Sequence, residues 1–177
     1  PVIAMRAVQL MLDAGVPKDA IALIQGDGRV GEAVVGSRKI AGVAFTGSNA
    51  AAKAIHKSLA DRPGAILPLI AETGGLNAMV VDSSALPEQV CDTVIASAFG
   101  SAGQRCSALR LLCLQDDVAD DMIQMIAGAM HELVVGDPAY MGTDVGPLID
   151  AEALAVVGRH KSRLKGSAKV LAETPYD

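Results

Sequence analysis

The chain has 177 residues, a net charge of −5, 51% hydrophobic residues, 20% charged residues and 2% aromatics with no Trp. That balance argues for a globular chain rather than a disordered one, and without a basic run it argues against nucleic acid as a partner of this segment. Its longest apolar runs are too short to span a bilayer, and no signal-peptide pattern is visible.

In chain order, apolar positions at helical spacing (Ile3, Ala7, Leu10, Met11, Ala14) predict a helix over 2–14, stopped by Gly15 and Pro17. The run AIALIQ (20–25) predicts a strand, EAVVGS (32–37) a short helix and AGVAF (41–45) a second strand. Ser48 or Asn49 can cap a helix that buries Ala52, Ile55 and Leu59. AILPLIAE (65–72) predicts a third strand, although Pro68 cannot donate to a ladder. NAMVV (77–81) predicts a fourth, followed by a helix capped by Ser83 or Ser84 and carrying Val90, Val94 and Ile95. ALRLLCL (108–114) predicts a strand, and Asp116 caps a helix with Val118, Met122, Met125, Ile126 and Ala129. Asp150 opens one more helix ending near Gly166, and AKVLA (168–172) predicts a last strand.

Strands alternating with helices imply parallel βαβ units, and hence an α/β fold. The best boundary is ETGG (72–75), where paired glycines interrupt two strand-like runs. The chain opens on Pro1 rather than Met and stops at AETPYD, so it reads as an excerpt of a longer protein.

Three cysteines (Cys91, Cys106, Cys113) are an odd count without CxxC spacing. They point to a reducing, cytoplasmic compartment with neither a disulfide framework nor a zinc site. The three histidines (His56, His131, His160) are scattered, so no metal site is expected. Cys113 inside RLLCL and Cys91 at a helix turn read as buried, inert cysteines. Cys106 differs. It sits in SAGQRCSA, where small residues allow a tight loop that presents backbone amides and Arg105 offers a cation. Both favour the thiolate, the reactive form of cysteine. Glu72 ends an apolar run beside two glycines, where an α/β fold places ligands.

Two glycine motifs compete for a phosphate. GDGRVG (26–31) matches the dinucleotide pattern literally, between a predicted strand and a predicted helix, but lacks the acidic residue expected about 20 residues on. FTGS (45–48) offers Gly47 for close backbone approach and Ser48 at a helix start. Each has a plain alternative, a tight turn for the first and an ordinary helix cap for the second.

Taken together and in order, FTGS, ETGG-x-N and GQRC resemble the aldehyde dehydrogenase superfamily, and the likeness runs on through GDP (136–138) and GPLI (146–149). The resemblance implies a partial, parallel-sheet, Rossmann-like fold. Residues 1–74 would be part of an NAD-binding domain and residues 75–177 part of the nucleophile-bearing catalytic domain. It implies that Cys106 is the nucleophile, forming a thiohemiacetal and then a thioester, and that Glu72 is the general base that activates water. The Cys106 amide would be one oxyanion donor. Cofactor contacts would fall at Phe45, Gly47, Ser48, Thr73 and Gly74, with Gly28 bordering the adenine side. The family often has glycine where Ala52 stands, one turn after FTGS.

A narrower likeness, in PLIAETGGLNAMVVDSSALPEQV and SAFGSAGQRCSALR, is to the L-glutamate γ-semialdehyde (1-pyrroline-5-carboxylate) dehydrogenase module of the bifunctional proline utilisation A family. It implies that Arg105 and Ser107 bind the α-carboxylate of a small semialdehyde, through guanidinium and hydroxyl donors. NAD is the expected cofactor, with NADP left open, and FAD would belong to a separate proline dehydrogenase domain of the parent. The parent is expected to be a homo-oligomer, and the excerpt alone is expected to be inactive. Two alternatives stand beside this reading: another semialdehyde dehydrogenase, such as one for succinic semialdehyde, and a non-catalytic structural relative.

Overall fold

A computed structural model describes residues 1–176. The chain divides by its own contacts into two compact units, one over residues 1–74 and one from Gly75 onward.

In the first unit α1 (Val2–Asp13) ends as its periodicity predicts. Gly15, at φ +97°, turns the chain back so that its amide and that of Val16 reach the carbonyls of Leu12 and Met11. α2 (Gly28–Gly36) starts earlier than predicted because Asp27 caps it. β1 (Val43–Gly47) leads directly into α3 (Asn49–Ala60), which Ser48 caps. α3 buries Ala52 and Leu59, four and eleven positions after its cap, on the face its apolar spacing predicts. β2 (Leu69–Thr73) begins just past Pro68, so the proline lies outside the strand and only its carbonyl is used, accepting from Val43 N at 3.0 Å. β1 and β2 pair in parallel, with Thr46 opposite Glu72 and Gly47 opposite Thr73.

The expected strand over 20–25 is absent. A strand is stable only when a neighbour takes its ladder hydrogen bonds, and among the described residues β1 pairs with β2 alone.

In the second unit β3 (Asn77–Val81) and β4 (Leu109–Leu114) pair in parallel, joined through α4 (Pro87–Phe99). α5 (Asp116–His131) and α6 (Ala151–Leu164) follow. The core forms where α4 and α5 pack on β4: Cys91, Val94, Leu109 and Ile126 are buried together, with Met79, Ile95 and Leu112 against them. Met122, on the same α5, is 2% exposed. Asp150 caps α6 as expected, accepting from Ala153 N at 2.8 Å.

Three further expectations for this unit fail for local reasons. Neither Ser83 nor Ser84 caps α4. Asp82 instead takes the Ser84 amide (2.9 Å) and hydroxyl (2.6 Å), and Pro87 starts the helix, needing no acceptor because it has no N–H. Asp116 is the first helical residue rather than the cap. Gln115 takes the cap position with its side chain turned to Ser83 N, and Asp116 and Asp117 lie in the first turn, where the helix dipole favours acidic groups. Residues 168–172 form no strand, only a bridge from Ala168 to Lys165, again for want of a paired neighbour.

Candidate active site

Parallel strands place their carboxyl ends side by side, and in the first unit this gathers several of the sequence-predicted residues. Glu72 and Thr73 lie beside Thr46 and Gly47, at the end of β1 from which Ser48 leads into α3. Glu72 is exposed, Thr73 half-buried, and Gly74 follows with open space around its Cα. Phe45 is half-buried and its ring lies against Gly47. A Cβ on Gly47 would stand 2.5 Å from the ring's Cζ, so this glycine makes room for the chain's own aromatic ring.

The two phosphate candidates differ in what already occupies them. At α2 the Asp27 carboxylate accepts from Arg29 N at 3.0 Å and pairs with the Arg29 guanidinium at 2.7 Å. Arg29's side-chain hydrogen bond holds the Asp27 carboxyl below the usual carboxylate range. The positive end of α2 therefore already carries its own carboxylate, itself paired with Arg29. Gly26 serves the turn itself, because a Cβ there would press into Val30 at 2.4 Å. At α3 the cap is a neutral hydroxyl: Ser48 Oγ accepts from Ala51 N at 3.2 Å. Helix geometry leaves the amides of Asn49 and Ala50 without intrahelical acceptors, and both residues are exposed. The α3 end thus keeps unpaired amides at an exposed helix start, whereas the α2 end is occupied by the Asp27–Arg29 pair.

In the second unit the cysteine stands in a strained loop. Ser101 (φ 57°), Ala102 (φ 53°) and Gly103 (φ 66°) are three consecutive left-handed residues within a single 3-10 turn at Gly100–Gly103. Each of the two non-glycine residues costs roughly 1–2 kcal/mol in that conformation, so the surroundings must hold the loop. Gly103 cannot be larger: a Cβ would lie 2.9 Å from the Ala98 carbonyl. Arg105, Cys106 and Ser107 then form an exposed turn, closed by Ala108 N donating to Arg105 O at 3.2 Å. Ala108 is fully buried and anchors the end of the turn.

Four polar side chains fasten this loop. Arg110 donates to the Gly103 carbonyl. Gln104 donates to Ser101 O (3.2 Å) and Pro147 O (3.3 Å) and accepts from Ile149 N (2.8 Å). Arg105 donates to Ala96 O at 2.9 Å, covering a carbonyl near the end of α4 and lying over Gly100, whose missing side chain leaves the space. Asn77 donates to Cys106 O (2.7 Å) and Ala108 O (2.9 Å). The pairing of β3 with β4 skips from Asn77–Leu109 to Ala78–Leu111, leaving Arg110 without a partner. This bulge sets Asn77 and Arg110 at the same point of the sheet, beside the loop both of them hold.

The fastening roles of Asn77, Gln104 and Arg110 were not read from the sequence. The available signal was an amide inside each of two glycine-containing motifs, ETGG-x-N and GQRC. Arg105 was expected to serve either the sulfur or a substrate carboxylate. One of its nitrogens is engaged by Ala96 O, and the residue as a whole is exposed.

The other cysteines divide. Cys91 is 6% exposed inside the α4 core, and burial, then the charge of Asp92, pushes its thiol up. Cys113 is exposed on β4, correcting its reading as buried: along the strand it falls between the half-buried Leu112 and Leu114 and faces the other way. Among the described residues no group of three or more His, Cys, Asp or Glu is arranged to hold a metal. Among the described residues no helix is long and apolar enough to cross a membrane.

Comparison with known proteins meets this geometry. The model of the "Aldehyde dehydrogenase family" matches residues 1–175. The "Bifunctional protein PutA" of Escherichia coli (strain K12) is 49% identical over 173 residues, 96% of this chain and 13% of that protein. The "1-pyrroline-5-carboxylate dehydrogenase" of Geobacillus kaustophilus is 37% identical over 157 residues, 86% of this chain and 30% of that protein. A crystal structure of a Bradyrhizobium japonicum Proline Utilization A (PutA) variant superposes with a TM-score of 0.96 at 54% identity, covering 100% of this chain and 18% of that one. The chain thus spans a small part of the length of these relatives. With helices and parallel strands in the same arrangement and a family match along nearly its whole length, the chain belongs to the aldehyde dehydrogenase family.

Proposed function

We propose that this chain carries the nucleophile and general base of an NAD-dependent dehydrogenase, part of a longer protein, that oxidises L-glutamate γ-semialdehyde to glutamate. The observation that carries the reading is the exposed Cys106 in a turn that follows three left-handed residues and is held by Asn77. Cys91 packs in the core and Cys113 is exposed on a strand, so what sets Cys106 apart is the held turn rather than exposure alone. Likeness to relatives named as PutA and 1-pyrroline-5-carboxylate dehydrogenase supports the substrate class.

In this mechanism the Cys106 thiolate adds to the aldehyde carbon, and the new oxyanion is met by backbone N–H donors, that of Cys106 among them. NAD, when bound, supplies the hydride acceptor; Gly47, Ser48 and the open α3 end would hold it, with Thr73 and Gly74 at the end of β2 and Phe45 against Gly47. Loss of hydride from the Cys106 adduct leaves a thioester. Glu72 takes a proton from water, the resulting hydroxide attacks the thioester, and the acid leaves as the thiol is restored. The free part of the Arg105 fork and the Ser107 hydroxyl bind the substrate carboxylate.

The test uses the full-length protein. Cys106→Ala should abolish NADH formation, and Glu72→Gln should keep a first-turnover burst of NADH while steady turnover falls about a hundredfold or more. Activity surviving in Cys106→Ala would remove the nucleophile assignment. A clear preference for succinic semialdehyde over L-glutamate γ-semialdehyde would remove the substrate assignment. The longer protein is also proposed to be a homo-oligomer, and this chain alone is proposed not to turn over.

A further inference from the structure

The geometry points to Asn77 as a positioning residue for the cysteine, a role that rests on reading Cys106 as the nucleophile. Asn77 sits 29 residues before Cys106, on a different strand from the one the cysteine loop enters. Its single amide nitrogen donates to the carbonyls of both Cys106 (2.7 Å) and Ala108 (2.9 Å). Both N–H bonds of the side chain are therefore used, which fixes its rotation. Holding the Cys106 carbonyl fixes the plane of the Cys106–Ser107 peptide, because that unit is rigid. Holding Ala108 O as well stops the turn from pivoting about its far end. The direction in which Cys106 presents its side chain is thus set from β3.

Two local features agree with this. The bulge at Asn77 interrupts the regular pairing at the residue that reaches the loop. Gly75 leaves the approach clear: a Cβ there would stand 3.1 Å from Cys106 O and 3.2 Å from Asn77 Oδ1. Neither Asn77 bond involves Sγ, since both end on backbone oxygens. Asn77 should therefore govern where the sulfur points and leave its proton affinity alone. Aspartate has the same shape but, when ionised, no N–H to donate, so it would set a carboxylate against two carbonyl oxygens.

The test compares Asn77→Asp, Asn77→Ala, Cys106→Ser and wild type in the full-length protein. Readouts are kcat, KM for NAD, the pH profile of Cys106 alkylation by iodoacetamide, and thermal unfolding. Positioning predicts that kcat falls about a hundredfold in a folded Asn77 variant, the scale of an ångström-size misplacement. KM for NAD should stay within about twofold, and the apparent pKa of alkylation should not move. A folded variant with kcat near wild type overturns the proposal, as does a shift in the alkylation pKa that accounts for the loss. If neither Asn77 variant folds, the residue is a folding determinant and the positioning role is withdrawn. Activity persisting in Cys106→Ser instead overturns the nucleophile reading, whatever the Asn77 variants do.

Discussion

Asn77 and Cys106 are joined by a 2.7 Å hydrogen bond from a side-chain amide to a backbone carbonyl, across 29 residues of sequence. The bond ties the motif ETGG-x-N to the motif GQRC. Asn77 and Cys106, drawn from two short patterns that each carry little information alone, both lie in the second unit.

Gln104 makes the second tie, to the segment 147–149. Gln104→Ala should free the Ile149 amide and the Pro147 carbonyl while leaving the α4 core intact. Each lost bond is worth about 1 kcal/mol. Hydrogen exchange should speed up at Ile149 and around the loop, and stay unchanged at Val94 and Ile126. Unchanged protection at Ile149 would show that the tie does not form in solution.

The left-handed loop predicts opposite effects for two neighbouring substitutions. Ala102→Gly relieves a residue held at φ 53° and should stabilise the 177-residue chain by up to about 1 kcal/mol. Gly103→Ala should destabilise it, because φ is +66° and the new Cβ meets Ala98 O at 2.9 Å. Urea unfolding of both variants checks the signs, and a stabilising Gly103→Ala would contradict the backbone described here.

The α3 end is expected to receive the anionic cofactor and the α2 end is not. Ser48→Glu puts a carboxylate where α3 presents free amides, and should raise KM for NAD in the full-length protein roughly tenfold, equivalent to about 1.4 kcal/mol. Asp27→Ala should leave that KM within about twofold. The reverse pattern would return the phosphate to GDGRVG.

The cysteines should differ in reactivity. Burial, then the charge of Asp92, raises the Cys91 thiol, so the folded state disfavours its thiolate. The sign follows: this contribution to stability is present below the unfolded thiol pKa and is lost as pH rises through the raised folded value. At neutral pH, brief iodoacetamide treatment of the 177-residue chain should label Cys106 and Cys113 and spare Cys91 until urea is added. Peptide mapping by mass spectrometry reads the order, and equal labelling of Cys91 would contradict its burial.

Much of this molecule was legible in the sequence because its helices advertise themselves locally. The spacing of Ala52 and Leu59, the caps at Ser48 and Asp150, and the stop at Gly15 all depend on residues a few positions apart. The runs at 20–25 and 168–172 failed because strand formation depends on a partner, which an apolar run does not reveal. Cys113 was misread because an apolar run was taken to mean burial on both faces, whereas β4 turns alternate residues outward. At the site, residue types pointed to Cys106 and Glu72, but the ties made by Asn77, Gln104 and Arg110 were not legible. Their partners lie 29, 45 and 7 residues away, and the bulge that aims two of them is a property of pairing rather than of composition.

The central claim is that Cys106 forms the covalent bond to substrate. It is tested most directly by mixing the full-length Glu72→Gln variant with L-glutamate γ-semialdehyde and NAD, quenching in acid, and mapping peptides by mass spectrometry. The account predicts a thioester adduct on the peptide that contains Cys106. Undiminished turnover with no adduct there, or an adduct on a different residue, would contradict it.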